Sequence, residues 1–140
     1  MLIDSDLLIA YMKKKDWLKP TAEKIFNAIC ENKLQNIQVS TDVIHELYYV
    51  FKDIAPIPTI LGNAAKIITM ENITYIDPTG EILLSALEIV STYHLGSIFD
   101  AIYAATALTD KVPDHTILST DTAYDQILGL VRIDPRDLQI

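Results

Sequence analysis

Apolar positions along the chain alternate between short continuous runs and longer stretches with helical spacing. The short runs predict five buried strands: Leu2–Asp4, Ile37–Val39, Ile73–Ile76, Thr116–Ser119 and Val131–Ile133. The longer stretches predict helices over Leu7–Lys15, Pro20–Glu31, Val43–Phe51, Thr59–Met70, Glu81–Tyr93 and Ile98–Thr109, with a short helical turn near Thr122–Leu128. Short strands separated by helices indicate the α/β class. We therefore expect a central, mainly parallel sheet of four to five short strands with helices on both faces.

Polar residues before the helices predict where the helices begin. Ser5 or Asp6 is the expected cap of the first helix, with Asp6 preferred to Asp4 as a purely structural residue. Ser40 and Thr41 are the expected caps of the third helix.

Composition indicates one compact domain that spans residues 1–140. Half of the 140 residues are apolar, and there are only four glycines and six prolines. The single cysteine, Cys30, allows no disulfide within the chain, which favours a reducing compartment such as the cytoplasm. We expect no membrane span, and the N-terminus lacks the pattern of a secretory signal.

The charge of the chain is unevenly distributed. The formal net charge is −8, which by itself argues against binding to nucleic acid. However, five of the eleven basic residues fall within twelve positions: Lys13, Lys14, Lys15, Lys19 and Lys24. This cluster has two interpretations, a solvated helix face or an edge that contacts phosphates, and the second makes Lys13, Lys14 and Lys15 candidate RNA contacts.

Four acidic residues stand at positions where a ligand site is expected. Two predicted strands end in an acid within two residues, at Asp4 and Asp121, and parallel sheets bind ligands beyond the carboxyl ends of their strands. Glu46 and Asp100 border the apolar stripes of their helices and do not lie on the opposite, watery side. Each acid also has a purely structural interpretation, either as a helix cap or as a solvated side chain.

A cluster of these acids would favour a divalent cation. Carboxylates in one cleft repel one another and raise each other's pKa, and a bound cation relieves that repulsion. Ligation by oxygen alone favours Mg²⁺ or Mn²⁺ over Zn²⁺. Asp125 lies four residues after Asp121 and would share its face of a short helix, but it is the weaker candidate.

Two other motifs in the sequence are incomplete. His45-Glu46 begins like the HExxH zinc motif, but the second histidine is absent. The sequence Asp4-Ser5-Asp6 resembles the start of haloacid-dehalogenase-like phosphatases. The only suitable Ser/Thr strand end is Ser119-Thr120, after which too little chain remains for the later motifs, so this phosphatase is a minor alternative.

Four segments together resemble PIN domains, in particular the VapC-like toxin group. They occur in the family's order: Leu2–Ala10, Val43–Leu47, Phe99–Ala107 and Ile117–Asp125. The resemblance implies a PIN-like α/β/α sandwich. It assigns the catalytic, metal-binding role to Asp4, Glu46, Asp100 and Asp121, with Asp6 and Asp125 as further candidate ligands and Ser5 and Thr120 as supporting residues. Two departures are Asp6, where Asn or another small polar residue is frequent, and Tyr124, where Phe is usual.

The resemblance also implies a function. The resemblance implies a Mg²⁺- or Mn²⁺-dependent endoribonuclease that hydrolyses RNA phosphodiester bonds and acts as the toxin of a type II toxin–antitoxin pair. Such toxins are usually homodimers and are held inactive by a small antitoxin protein. The alternatives are a standalone PIN nuclease in RNA processing or turnover and a non-catalytic PIN-like scaffold.

Overall fold

The computed structural model describes all 140 residues and contains five strands and six α-helices in the predicted order. The strands are β1 (Leu2–Ile3), β2 (Ile37–Ser40), β3 (Ile73–Ile76), β4 (Thr116–Leu118) and β5 (Val131–Ile133). The helices are α1 (Ser5–Met12), α2 (Lys19–Cys30), α3 (Val43–Phe51), α4 (Ile57–Ile68), α5 (Gly80–Tyr93) and α6 (Ile98–Ala107). A 3₁₀ helix at Thr122–Gln126 separates the last two strands.

All five strands are parallel and form one sheet in the order β3-β2-β1-β4-β5. The predicted α/β fold is therefore confirmed. The pairing of Ile3 with Leu118 places β1 beside β4 at the centre of the sheet. Since parallel strands end at the same edge, the residues that follow β1 and β4 are brought together.

Helices cover both faces of the sheet and create two hydrophobic cores. Ile3 packs in a core with side chains of α1 to α4, whereas its neighbour Leu2 packs in a core with side chains of α5 and α6. Adjacent residues of a strand point to opposite faces, so both residues of β1 are almost completely buried. This double burial explains why β1 reads as an apolar run without alternation.

The start of α1 differs from the prediction. Asp4, and neither Ser5 nor Asp6, is the N-cap, and its carboxylate accepts a hydrogen bond from the Ser5 backbone N–H at 2.7 Å. Asp4 has an extended backbone conformation, which lets its side chain turn back to the first backbone donors of the helix. The predicted cap was wrong because Asp6 lies inside the first turn.

The end of α1 also differs from the prediction. The helix ends at Met12, so Lys13, Lys14 and Lys15 lie in a bend and do not form a helix face. The ammonium group of Lys19 donates hydrogen bonds to the carbonyls of Tyr11 and Lys13 at 2.9 and 2.7 Å. Because α1 ends earlier than predicted, its last carbonyls lack partners within the helix, and these bonds satisfy them.

The predicted caps of α3 were wrong. The N-cap is Asp42, whose side chain makes no capping hydrogen bond. Ser40 instead accepts a hydrogen bond from the Asp42 backbone N–H at 3.3 Å, and Thr41 donates to Asp77 at 2.8 Å. The two hydroxyl residues thus stabilise the turn after β2 and its contact with the end of β3.

Helices α5 and α6 cover one face of the sheet. Each begins with a hydroxyl cap, since Thr79 accepts from the Ile82 backbone N–H and Ser97 accepts from the Phe99 backbone N–H. The cap at Ser97 places Asp100 in the first turn of α6. No single helix is both long and apolar enough to cross a bilayer; α5 and α6 reach that length only as a pair, with a bend of 113° between them.

Candidate active site

Asp4 lies buried at the carboxyl end of β1, and protein donors contact both of its carboxylate oxygens. Oδ1 accepts from the Ser5 backbone N–H at 2.7 Å and from the Tyr124 hydroxyl at 3.3 Å. Oδ2 accepts from the Ser119 hydroxyl at 2.5 Å. Burial raises the pKa of Asp4 well above its ordinary value, and the negative charges of Asp6 and Asp100 raise it further.

Ser119 joins Asp4 to Asp121 across the two central strands. Its hydroxyl donates to Asp4 and accepts from the Asp121 backbone N–H at 3.0 Å. The Asp121 carboxylate accepts from the Ala123 backbone N–H at 2.8 Å and caps the 3₁₀ helix. Asp121 is exposed, so it remains accessible to solvent at the edge of the sheet. Its structural role as a cap and its place beside Asp4 are therefore compatible.

Asp6 connects α1 to the loop after β4. Its Oδ2 accepts from both the backbone N–H and the hydroxyl of Thr120, at 2.8 and 2.7 Å. Burial raises the pKa of Asp6, and the charge of Asp121 adds to that shift. Thr120 therefore supports Asp6, although its place in the sequence is next to Asp121.

Glu46 approaches the same edge from α3. It is half-buried, and its Oε2 accepts a hydrogen bond of 2.5 Å from the hydroxyl of Tyr103 on α6. Burial and the negative charge of Glu46 raise the pKa of Tyr103 far above its ordinary value, so the phenol stays protonated and acts as a donor.

Asp100 interacts electrostatically with each of the other acids described above. Burial raises its pKa from 3.8 to about 7, and the charges of Glu46, Asp121 and Asp6 add to the shift. Asp4 in turn is affected by the charge of Asp100. These charge interactions link the four acids that the sequence predicts, which lie after β1, on α3, on α6 and in the loop after β4.

No cationic side chain forms an ion pair with these acids, and Arg132 is a cation that the charge of Asp121 reaches. The structure contains eight ion pairs, and none involves Asp4, Asp6, Glu46, Asp100 or Asp121. Asp125, the sixth candidate, instead binds Arg132 through two hydrogen bonds of 2.7 and 3.1 Å, and this contact lowers its pKa. Asp125 therefore already has a cationic partner and differs from the other five acids in this respect.

The chemistry of the five acids fits a divalent cation. They offer only oxygen donors, and the raised pKa values of Asp4, Asp6 and Asp100 reflect burial and repulsion that a cation would relieve. However, no three acidic, histidine or cysteine side chains form a ready ligand set in the structure. Asp4 and Glu46 are held by hydroxyl donors, and five of the surface clefts, of about 300 to 530 Å³, are lined by other residues.

Three residues that contact these acids were not selected from the sequence as site residues: Ser119, Tyr103 and Tyr124. Tyr103 stands three residues after Asp100, and Tyr124 stands three residues after Asp121. Residues three apart share one face of a helix, so this spacing was the available signal. It does not reveal the partners, because Tyr103 contacts Glu46 and Tyr124 contacts Asp4.

Comparison with known proteins identifies the family. The family model of the PIN domain matches residues 1–129. No curated protein sequence matches the chain significantly. Similar solved structures are a VapBC2 complex from Rickettsia felis bound to a promoter DNA fragment and the toxin VapC20 of Mycobacterium tuberculosis, which cleaves the sarcin–ricin loop.

These structural similarities extend over nearly the whole chain. The Rickettsia complex has 12% identity and a TM-score of 0.69, and the match covers 94% of this chain and 96% of that one. VapC20 has 17% identity and a TM-score of 0.72, with 93% and 95% covered. A toxin–antitoxin complex from Klebsiella pneumoniae has 16% identity and a TM-score of 0.64, with 96% of each chain covered. The expected PIN-like fold is confirmed, and the chain belongs to the PIN domain family.

Proposed function

We propose that this protein is a metal-dependent endoribonuclease that hydrolyses RNA phosphodiester bonds. Proteins of the PIN domain family are generally nucleases, and the family model covers most of this chain. The observation that carries the proposal is that Asp4, Glu46 and Asp121 each interact electrostatically with Asp100, and that none of the four acids has an ion-pair partner. A purely structural role would not require four acids without ion pairs from four different parts of the chain.

In this proposal the four acids hold Mg²⁺ or Mn²⁺, with Asp6 as an additional carboxylate beside them. The ion, when bound, neutralises the charge of a phosphate oxygen and activates a water molecule for attack on phosphorus. One carboxylate oxygen of the group accepts the proton of that water, one P–O bond breaks, and the leaving oxygen takes a proton from solvent. Ser119 and Tyr103 keep the Asp4 and Glu46 carboxylates oriented toward the edge.

We further propose that the protein is the toxin of a type II pair, a cytoplasmic homodimer held inactive by a small antitoxin. One of the similar structures is a toxin–antitoxin complex and another is VapBC2 bound to DNA, which supports a protein partner. Large apolar side chains on α4 and α5 are exposed and available for protein contacts, among them Leu61, Leu84 and Leu87 at 67%, 67% and 58% exposure.

The nuclease activity is tested by RNA cleavage with purified protein in Mg²⁺, in Mn²⁺ and in chelator. We expect cleavage only with metal, and a loss of about 100-fold or more in Asp4→Asn and Asp100→Asn with an unchanged circular dichroism spectrum. Asp125→Asn is the matched control and should retain activity, because Asp125 is paired with Arg132. Undiminished cleavage in both the Asp4 and Asp100 variants would refute the proposed site.

The toxin assignment has a separate test in cells. Induced expression of the chain should stop growth, Asp100→Asn should not, and the product of a short upstream reading frame should restore growth. Cleavage in vitro without any effect on growth and without such a neighbouring gene would favour the standalone nuclease. Absence of divalent metal binding by calorimetry would favour the non-catalytic scaffold.

A further inference from the structure

The cations of this acidic protein are concentrated around its only tryptophan. Residues 13–24 carry five lysines and two acids, a net charge of +3, whereas the other 128 residues carry −11. Trp17 lies in this segment, between α1 and α2, and 68% of its surface is exposed. An exposed indole in the one basic region of the chain favours a ligand that has both negative charge and a flat apolar face.

The basic side chains near Trp17 fall into two groups. Lys13 and Lys19 are engaged, since Lys13 pairs with Asp16 at 3.6 Å and Lys19 binds the carbonyls at the end of α1. Lys14 and Lys15 are exposed and have no acidic partner within 4.0 Å. Both line a cleft of about 530 Å³ together with Trp17.

Arg136 borders this surface from the C-terminal segment, and its guanidinium donates hydrogen bonds to the Asp134 carboxylate at 2.8 and 2.5 Å. Its guanidinium carbon lies 5.6 Å from the centre of the Trp17 ring, in a cation–π contact. It also lines a second cleft, together with Lys24, and Pro20 belongs to both clefts. We call Lys14, Lys15, Trp17 and Arg136 the Trp17 surface.

The Trp17 surface is connected to the acids of the candidate active site through the carboxyl edge of the sheet. Ser119, which binds Asp4, donates its backbone N–H to the carbonyl of Ile133, the last residue of β5. Arg136 follows three residues later and contacts Trp17. Since β5, β4 and β1 are neighbouring parallel strands, this surface begins at the same edge of the sheet as the acids.

We propose that the Trp17 surface binds a single-stranded RNA segment that flanks the bond to be cleaved, with a base stacked on Trp17 and phosphates on Lys14 and Lys15. This inference rests on the proposed nuclease function. Every base offers a flat π face to an aromatic side chain, and basic residues follow the phosphates, which is how proteins bind single strands without reading their sequence. An acidic peptide would satisfy the lysines but would leave the indole without a stacking partner.

Trp17 is itself the probe for this binding, because selective excitation reports on the single tryptophan. The 140-residue chain without metal is titrated with short single-stranded oligoadenylate, and a gel verifies that the RNA stays intact. We expect saturable quenching that weakens with salt. In Lys14→Ala/Lys15→Ala the slope of log affinity against log salt should fall by about 1.4, since each single-strand phosphate contact contributes about 0.7. Lys52→Ala/Lys111→Ala removes the same charge from exposed positions elsewhere and should leave the slope unchanged.

The stacking contribution is measured with fluorescently labelled oligoadenylate and Trp17→Ala. We expect its affinity to fall by about 5- to 150-fold, the range for loss of one stacked base. Leu128→Ala is the control for loss of an exposed apolar side chain and should bind like the native protein. Equal affinity of Trp17→Ala and the native protein would overturn the proposal. Polyglutamate of matched charge that binds and quenches as strongly as RNA would also overturn it in favour of an acidic protein partner.

Cleavage kinetics separate this proposal from the nuclease proposal. In Trp17→Ala, KM should rise while kcat stays unchanged, because the ring does not touch the acid group. Metal-dependent cleavage with an unchanged KM would refute the Trp17 surface and leave the nuclease intact. RNA binding at Trp17 without any cleavage in Mg²⁺ or Mn²⁺ would refute the nuclease and leave the surface as an RNA-binding site.

Discussion

The hydroxyl of Tyr103 donates a hydrogen bond of 2.5 Å to Glu46 Oε2 and so connects α6 to α3 at the carboxyl edge of the sheet. Tyr103 is 1% exposed, so its ring is fixed by packing on all sides. Asp100 lies one turn earlier on the same helix. The bond therefore sets the position of Glu46 relative to Asp100, two acids that raise each other's energy when both are charged.

Replacement of Tyr103 by Phe tests this positioning. The variant keeps the ring and loses only the hydroxyl, so the fold should persist with an unfolding free energy lower by about 1.5 to 3 kcal/mol, as for a hydrogen bond to a charged group. Mn²⁺ affinity by calorimetry should fall by about 10- to 100-fold, the usual effect of a lost residue behind a metal ligand. Tyr49→Phe, at a ring that is 58% exposed, is the control. Native Mn²⁺ affinity in Tyr103→Phe would show that the bond does not position Glu46 for a metal.

Replacement of Ser119 by Ala tests the link between Asp4 and Asp121. The Ser119 hydroxyl lowers the pKa of Asp4, so its removal should raise that pKa further, which NMR titration of the carboxyl carbon can measure. The buried carboxylate also loses a donor, and we expect a loss of about 1 to 3 kcal/mol in unfolding free energy near neutral pH. Thr122→Ala, at an exposed position nearby, should change neither quantity. An unchanged or lower pKa of Asp4 in Ser119→Ala would contradict the described contact.

The stability of the metal-free protein should fall as pH rises from about 4 to about 7. Folding raises the pKa of Asp100 from 3.8 to about 7, so between these pH values the folded state holds a proton that the unfolded state has released. The resulting stabilisation of the folded state is lost as pH rises to about 7 and Asp100 ionises. Asp4 acts in the same direction. Asp134, whose pKa is lowered to about 2 by Arg136, has its effect below this window, where its stabilising contribution is lost as pH falls.

Thermal melting of metal-free protein across this pH range measures the effect. Asp100→Asn cannot carry the charge, so its melting temperature should fall less between pH 4 and pH 7 than that of the native protein. Saturating Mn²⁺ should stabilise the native protein most at the upper end of the range, where the acids are charged. A native melting temperature that rises steadily from pH 4 to pH 7 in chelator would contradict the described electrostatics.

Local patterns predicted the fold, whereas the metal-binding role of the four acids stays a prediction. Leu2-Ile3 is apolar at both positions, as expected of a strand buried on both faces. Asp4 follows β1 directly and Asp121 follows β4 after two residues. Because parallel strands bind ligands at their carboxyl ends, the sequence predicts that these two acids lie at one edge of the sheet. Pairing of β1 with β4 in the structure confirms that step.

Features that depend on distant contacts could not be predicted. The choice of Asp4 over Asp6 as the cap of α1 is linked to Thr120, 114 residues away, which binds the Asp6 carboxylate. Lys13 to Lys15 suit a helix by composition, but the helix ends earlier, where Lys19 binds its last carbonyls. The contact between Tyr103 and Glu46 joins residues that are 57 positions apart, and no local pattern marks it.

Anomalous diffraction from crystals soaked in Mn²⁺ detects whether acids distant in sequence hold one divalent cation. We expect an anomalous peak contacted by carboxylate oxygens from the set Asp4, Glu46, Asp100 and Asp121, and no such peak in crystals of Asp100→Asn treated in the same way. A soaked crystal of the native protein with no peak among these four side chains, or with its Mn²⁺ bound elsewhere, would refute the proposed metal site.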